Sequence, residues 1–382
     1  MKKKTNVVAL AVTLSIAAVS GCNSAEPDLD DGPDRLADYS DGPLETRCGP
    51  TEDLQDVEQY DGLDGVSQAF VNLHERPVGQ IQWLNDLATR YTNPGDVNDA
   101  RWCSGTQISA DLFLTAGHCF DVDVNGWTTP RTNGTTTPIT PQQMAGEMQV
   151  NFGYQRDATG TLRTATSYRI TQLVEYRPGG LDFAVIRLAN TPGNVWGTAT
   201  IVRQNPAPGA TLAIIGHPDG RPKQVDIGNM GQVVGTSLRY SDVDTLAGNS
   251  GSGVLEGGTG NLVAVHTSGG CTMTGGSNRG VAIETVIDNS PSVAAIACHN
   301  PAGASSAEVC DGQDNDCDGV VDDGVQDPCG GCGGNATPAG VQCAQNSGSD
   351  WCFHDGLIEC NGAQCCCKLF IPLTECKGIF EF

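Results

Sequence analysis

A serine hydroxyl is a poor nucleophile at neutral pH. A serine that transfers acyl groups therefore needs an imidazole to take its proton, an acid to orient that imidazole, and amide donors for the oxyanion. The 382-residue sequence holds a candidate for each part. Ser250 lies in Gly248-Asn249-Ser250-Gly251-Ser252-Gly253, whose glycines let the backbone turn its amides toward a substrate carbonyl. His118 lies in Leu114-Thr115-Ala116-Gly117-His118-Cys119, and Asp182 stands at the mouth of the apolar run Phe183-Ala184-Val185-Ile186-Arg187-Leu188. Singly these signals are weak: an isolated Asp is usually a surface or cap residue, and a Gly-Ser loop is usually a turn. Their joint occurrence in the order His118, Asp182, Ser250 carries the reading, since other serine hydrolase folds use other orders.

The histidine segment resembles the histidine motif of chymotrypsin-like proteases, and the serine loop resembles their nucleophile loop. The resemblance implies a catalytic triad of His118, Asp182 and Ser250, an oxyanion hole made by the amides of Gly248 and Ser250, and a histidine-loop disulfide between Cys103 and Cys119. Asn249 before the serine, and Ser252-Gly253 after it, depart from the pancreatic pattern and look like the bacterial glutamyl endopeptidase branch, whose usual proline is Gly253 here. The lead-in Tyr240-Ser241-Asp242-Val243-Asp244-Thr245-Leu246-Ala247 and the strand Leu262-Val263-Ala264-Val265-His266-Thr267-Ser268-Gly269-Gly270 are similar to that branch. The similarity spans roughly residues 78 to 290. It implies that Thr245 and His266 receive a substrate carboxylate and that Thr267 and Gly269 help bind substrate, hence a preference for Glu or Asp before the cleaved bond. An imidazole and a hydroxyl suit that task through charge-assisted hydrogen bonds, without burying a permanent cation. His74, His217, His299 and His354 are read as surface or packing residues.

Such residues need a frame of short strands. From about Val66 the sequence breaks into β-type runs separated by Gly, Pro and Asn: Val78–Trp83, Met148–Tyr154, Tyr168–Tyr176, Phe183–Leu188, Thr211–Ile215, Gly231–Thr236, Gly253–Leu255 and Leu262–His266. Many short strands mean a barrel or a sandwich; the resemblance implies an all-β double six-stranded barrel of the trypsin/chymotrypsin type with a small disulfide-rich C-terminal tail. The stretch 284–298 is expected to close this domain as a helix that starts late because of Pro291.

Composition sets the surroundings. The net charge of −24 argues against nucleic acid or anionic lipid as electrostatic partners. Lys2-Lys3-Lys4 followed by the apolar run 7–19 reads as a signal peptide, and Val19-Ser20-Gly21-Cys22 looks like a bacterial lipobox with Cys22 as the lipidated residue. The expected product is an exported lipoprotein at the outer membrane or cell surface, or released outside the cell, attached to membrane only through Cys22. It is expected to be monomeric, acting on protein or peptide substrates with no cofactor for catalysis. Seventeen cysteines in an exported chain imply disulfides.

The expected organisation is a signal peptide at 1–21, an acidic tether or propeptide at 22–65, the protease domain at 66–299, an Asp/Cys repeat at 306–328 and a Cys-rich module at 329–382. In the repeat, Asp314, Asp316, Asp318 and Asp322, with Gly319 for the turn, follow EF-hand-like spacing and suit Ca2+. Zinc is the rival there, suggested by Cys329-Gly330-Gly331-Cys332. Two other functions compete with proteolysis: a non-catalytic barrel acting as an adhesin, marked by a lost triad residue, and a zinc-dependent module in the tail.

Overall fold

The computed structural model describes residues 47–123 and 126–298, together with the backbone of three later strands at 342–346, 349–361 and 364–368. Cys22 and the acidic residues Asp314, Asp316, Asp318 and Asp322 lie outside the described residues.

Two closed antiparallel barrels of six strands make up the domain. The first contains β2 (Val78–Trp83), β3 (Arg101–Gln107), β4 (Leu112–Thr115), β5 (Met148–Phe152), β6 (Thr166–Arg177) and β7 (Phe183–Leu188), in the order β2-β3-β4-β7-β6-β5, with β5 closing onto β2. The second contains β8 (Thr211–Gly216), β9 (Gln224–Val234), β10 (Ser237–Tyr240), β11 (Gly253–Glu256), β12 (Leu262–Ser268) and β13 (Asn278–Ala282), in the order β9-β10-β13-β12-β11-β8, and is closed by β8 on β9. The expected double barrel is present.

Strands β4 and β8 are apolar on both faces because each barrel has an inside and a partner. Successive side chains point to opposite faces of a strand. In β8, Leu212 and Ile214 therefore fill the second barrel while Ala213 and Ile215 join the cluster between the barrels. In β4, Phe113 packs inside the first barrel with Phe152 and Ile186, and Leu112 and Leu114 face the shared cluster. Lys223 reinforces the junction: fully buried, its Nζ donates to Glu75 Oε2 at 2.7 Å, to the Glu75 carbonyl at 2.8 Å and to Gln155 Oε1 at 3.0 Å. Three acceptors compensate the desolvation of the ammonium.

Two expectations need correction. Packing starts well before residue 66: β1 (Gln55–Asp56) pairs with β9, Val57 and Tyr60 are buried in the core, and Cys48 is bonded to Cys271. The acidic composition of 22–65 concealed these anchors, because the described part, 47–65, is held by a few apolar side chains and one disulfide amid polar residues. The closing element is also two helices, α5 (Ile283–Asn289) and α6 (Pro291–Ala294). Pro291 takes the first position of α6, where its missing N–H costs nothing, and Ser290 caps it by accepting from Val293 N at 3.1 Å.

Beyond the domain, β14 (Gln342–Asn346), β15 (Ser349–Asn361) and β16 (Gln364–Lys368) form an antiparallel three-stranded sheet.

Candidate active site

His118 follows β4 on a one-turn 3-10 segment, Gly117–Phe120, and Asp182 precedes β7, which is hydrogen-bonded to β4. Adjacent strands thus deliver the two side chains together. The His118 backbone N–H donates to Asp182 Oδ1 at 2.8 Å, and Nδ1 lies 2.9 Å from Oδ2 and 3.1 Å from Oδ1. A carboxylate only accepts, so Nδ1 carries the proton and Nε2 is left with a lone pair that can accept one. A Cβ on Gly117 would stand 2.8 Å from the Arg177 carbonyl and 3.2 Å from Asp182 Oδ1, so this approach requires glycine.

Asp182 is held in the left-handed region, with φ of 29°, after the 3-10 turn Gly179–Leu181. That conformation is rare for a residue bearing a side chain, and strain of this kind concentrates at functional sites. Both groups are buried. Burial alone would push the His118 imidazole down; the charge of Asp182 and its hydrogen bond, with Asp121 adding to them, outweigh it and raise the imidazole above its ordinary value. The base is therefore strengthened by its partner.

The serine loop bridges the barrels. The Ser250 carbonyl accepts from Ser104 N of β3 at 2.9 Å, and Gly251 N donates to the His266 carbonyl of β12 at 2.7 Å. Gly251 has φ of 88°, and a Cβ there would stand 2.1 Å from Thr115 Oγ1 and 2.3 Å from the Ser104 carbonyl. Ser104 Oγ donates to the Gly248 carbonyl at 2.8 Å and accepts from His217 N at 2.9 Å. Among the described residues, the amides of Gly248 and Ser250 donate to no backbone carbonyl, whereas Asn249 N is spent on Leu246 and Gly251 N on His266. Two neighbouring amides left in this way suit an oxyanion. Ser250, half-buried, and Gly248 line one cleft of about 250 Å³ with His118.

The expected disulfide between Cys103 and Cys119 is present beside His118. Cys103, His118 and Cys119 also come within metal-ligand distance of one another, but the two sulfurs are bonded to each other and are not available as thiolates.

Residues 103–265 match the family model described as a trypsin-like peptidase domain. A search of curated proteins finds no match. Among solved structures, a Glu endopeptidase in complex with MPD is similar at 20% identity, covering 63% of this chain and 95% of that one with a TM-score of 0.41. The active form of the Rv3671c protease from M. tuberculosis is similar at 16% identity, covering 69% of this chain and 95% of that one, also at 0.41. Likenesses this distant do not bear on the chemistry of the peptidase domain.

The residues expected to bind substrate occupy a second wall. Thr245, His266 and Thr267 are buried and Gly269 is exposed at the end of β12; none lines the cleft of Ser250 and His118. His266 Nδ1 lies 2.5 Å from the hydroxyl of Tyr240 across the second barrel. Burial, with a contribution from His118, pushes the His266 imidazole down to about 3, and burial holds the Tyr240 phenol well above its ordinary value. Both are neutral at physiological pH.

Several supporting residues carry no local sequence signal. Tyr240 lies in the lead-in run with no local pattern to mark it. Asn278, fully buried, accepts the amides of Gly270 and Cys271 on Oδ1, each at 3.0 Å, and donates from Nδ2 to the Val243 carbonyl at 2.8 Å. It joins the loop after β12 to the segment before Thr245. The Cys48–Cys271 bridge runs alongside, and Asp244 receives the amides of Cys48 at 2.6 Å and Asp53 at 3.0 Å. The amino-terminal strap is thus fastened to the residue next to Thr245. An unassigned cysteine ahead of the domain was the one available signal. His217 is buried and stacked on Tyr154, with Nδ1 at 3.1 Å from the Arg221 carbonyl, in keeping with packing.

Proposed function

We propose that the peptidase domain is a serine endopeptidase that works through an acyl-enzyme. The observation that carries this reading is the double hydrogen bond from His118 to Asp182 in a cleft that His118 shares with Ser250. Ser250 Oγ attacks the peptide carbonyl as His118 Nε2 takes its proton. The amides of Gly248 and Ser250 receive the oxyanion. His118 then returns the proton to the leaving amine, and water hydrolyses the ester by the same route in reverse. A non-catalytic adhesin is not favoured, because its mark would be a missing triad member and none is missing.

Within that reaction we propose a preference for Glu before the cleaved bond, with Asp as the second choice. If the Tyr240 hydroxyl donates to His266 Nδ1, Nε2 carries a hydrogen to offer a substrate carboxylate, and Thr245 adds a hydroxyl. The strap through Cys48, and Asn278, stiffen that wall. Export as a lipoprotein through Cys22 and calcium binding by Asp314, Asp316, Asp318 and Asp322 belong to the same proposal and rest on their motifs alone.

A fluorophosphonate probe tests the reaction: wild type is expected to be labelled and Ser250→Ala not, with unchanged thermal unfolding. Equal labelling of both would refute the nucleophile. A peptide library tests the preference, and cleavage spread evenly over residue types would remove the role given to His266.

A further inference from the structure

The cleft that holds the reacting residues has a wall unrelated to the carboxylate preference. Besides His118, Gly248 and Ser250, it is lined by Trp102, Cys103 and Trp127, with Arg101 and Asp219 among the remaining lining residues. Its side relative to the scissile bond follows from the chemistry proposed above. In acylation His118 delivers a proton to the leaving nitrogen, so the residue after the bond must lie against the His118 side of Ser250.

The walls identify what would sit there. Trp127 is 42% exposed, unusual for a tryptophan, and meets Trp102 edge-on at 5.8 Å; Trp102 is edge-on to the buried Trp83 at 6.1 Å. Trp102 is fixed further by its indole N–H, which donates to the Cys119 carbonyl at 3.0 Å. One ring is therefore anchored, and the other leans on it while remaining partly exposed. The charged groups at the rim do not suit a basic residue. Asp219 is paired with Arg221 at 3.2 Å, and Arg101 lies over the Tyr154 ring at 3.8 Å and donates to the uncharged Gln80 at 2.6 Å, leaving its positive charge to repel a cation. A space of about 250 Å³ admits one large side chain.

We propose that Trp102 and Trp127 form a leaving-group subsite that selects an aromatic residue immediately after the scissile bond. This rests on the serine-peptidase reading and is independent of the preference for Glu. Aromatic pairing adds to the burial of apolar area, and both favour Phe or Trp over Gly at this position.

Capture of the acyl-enzyme isolates the subsite. The full-length protein is acylated with an ester substrate, in separate glutamyl and alanyl versions, in the presence of amino-acid amides. The amine nitrogen attacks the acyl carbon, His118 takes the amine proton and returns it to Ser250 Oγ as the ester bond breaks, and a new peptide bond forms in competition with hydrolysis. Phenylalaninamide is expected to capture the acyl group about tenfold better than glycinamide, from the burial of one aromatic side chain. Argininamide is expected to fall well below phenylalaninamide. Trp127→Ala should bring the Phe/Gly ratio toward one, the capture by each amide being measured against the same variant's own hydrolysis. Equal capture by phenylalaninamide and glycinamide, a preference for argininamide, or an unchanged ratio in Trp127→Ala would each overturn this inference alone. Absence of any acyl-enzyme with either ester would overturn the serine-peptidase reading and this inference with it.

Discussion

Two imidazoles near one serine are both buried, yet they differ in character. His118, at the junction of the barrels, is raised above its ordinary value because a carboxylate touches both its ring and its backbone; His266, on the wall of the second barrel, is pushed down to about 3 by burial, with His118 adding to it, and its hydrogen-bond partner Tyr240 brings no charge to offset them. Burial acts on both in the same direction. The contrast teaches that the partner decides which histidine can exchange a proton near neutral pH and which can only offer a fixed hydrogen bond.

The largest effect that would break this contrast comes from Asp182→Asn. It removes the charge that raises His118 and permits the wrong tautomer, so kcat/KM is expected to fall about ten-thousand-fold at unchanged stability. Steady-state kinetics beside a thermal melt would check it, and a loss smaller than tenfold would mean that Asp182 does not orient the base.

Selectivity comes next. His266→Ala is expected to reduce discrimination between Glu and Gln substrates by about 10- to 100-fold, the range of one hydrogen bond to a charged group, with little change for an alanyl ester. Paired kcat/KM values for the two peptides would reveal an unchanged ratio, which would remove His266 from carboxylate recognition.

The pH profile sharpens the contrast further. A raised His118 must lose its proton before it can act, so kcat/KM should rise with pH through a single ionisation above 6.5, with a slope of one proton. His266, neutral down to about 3, should add nothing between pH 4 and 8. A two-proton slope in that range would show that both histidines titrate together.

The smallest expected effect is that of Tyr240→Phe. The ring remains in the second-barrel core, so packing survives, and the loss is one hydrogen bond, about 1 kcal/mol of stability. The Glu/Gln ratio should fall by a few-fold, less than in His266→Ala, as the ratio measured for both variants side by side would establish.

Much of this was legible in the chain. Val78–Trp83 and Phe183–Leu188 are strands at the bounds their apolar, β-branched residues predict. Strands β3 and β13 were not recognised, because Arg-Trp-Cys-Ser-Gly-Thr-Gln and Asn-Arg-Gly-Val-Ala carry polar and glycine residues whose strand pairing depends on neighbours distant in sequence. Ser250 and His118 could be named as candidates because a glycine-rich serine loop and a histidine motif are local patterns. Tyr240, Asn278, Trp127 and the Cys48 strap could not, since each acquires its role by meeting a partner far along the chain.

By itself the sequence determined the reactive residue types, their order and the apolar runs that must become strands, for these depend on side-chain chemistry and short-range periodicity. The tertiary structure decided the rest. Closing each barrel brought Asp182 against His118, set Tyr240 across from His266, and left Trp127 exposed at the cleft. Proton affinity and exposure are properties of surroundings, and surroundings exist only once the chain has folded.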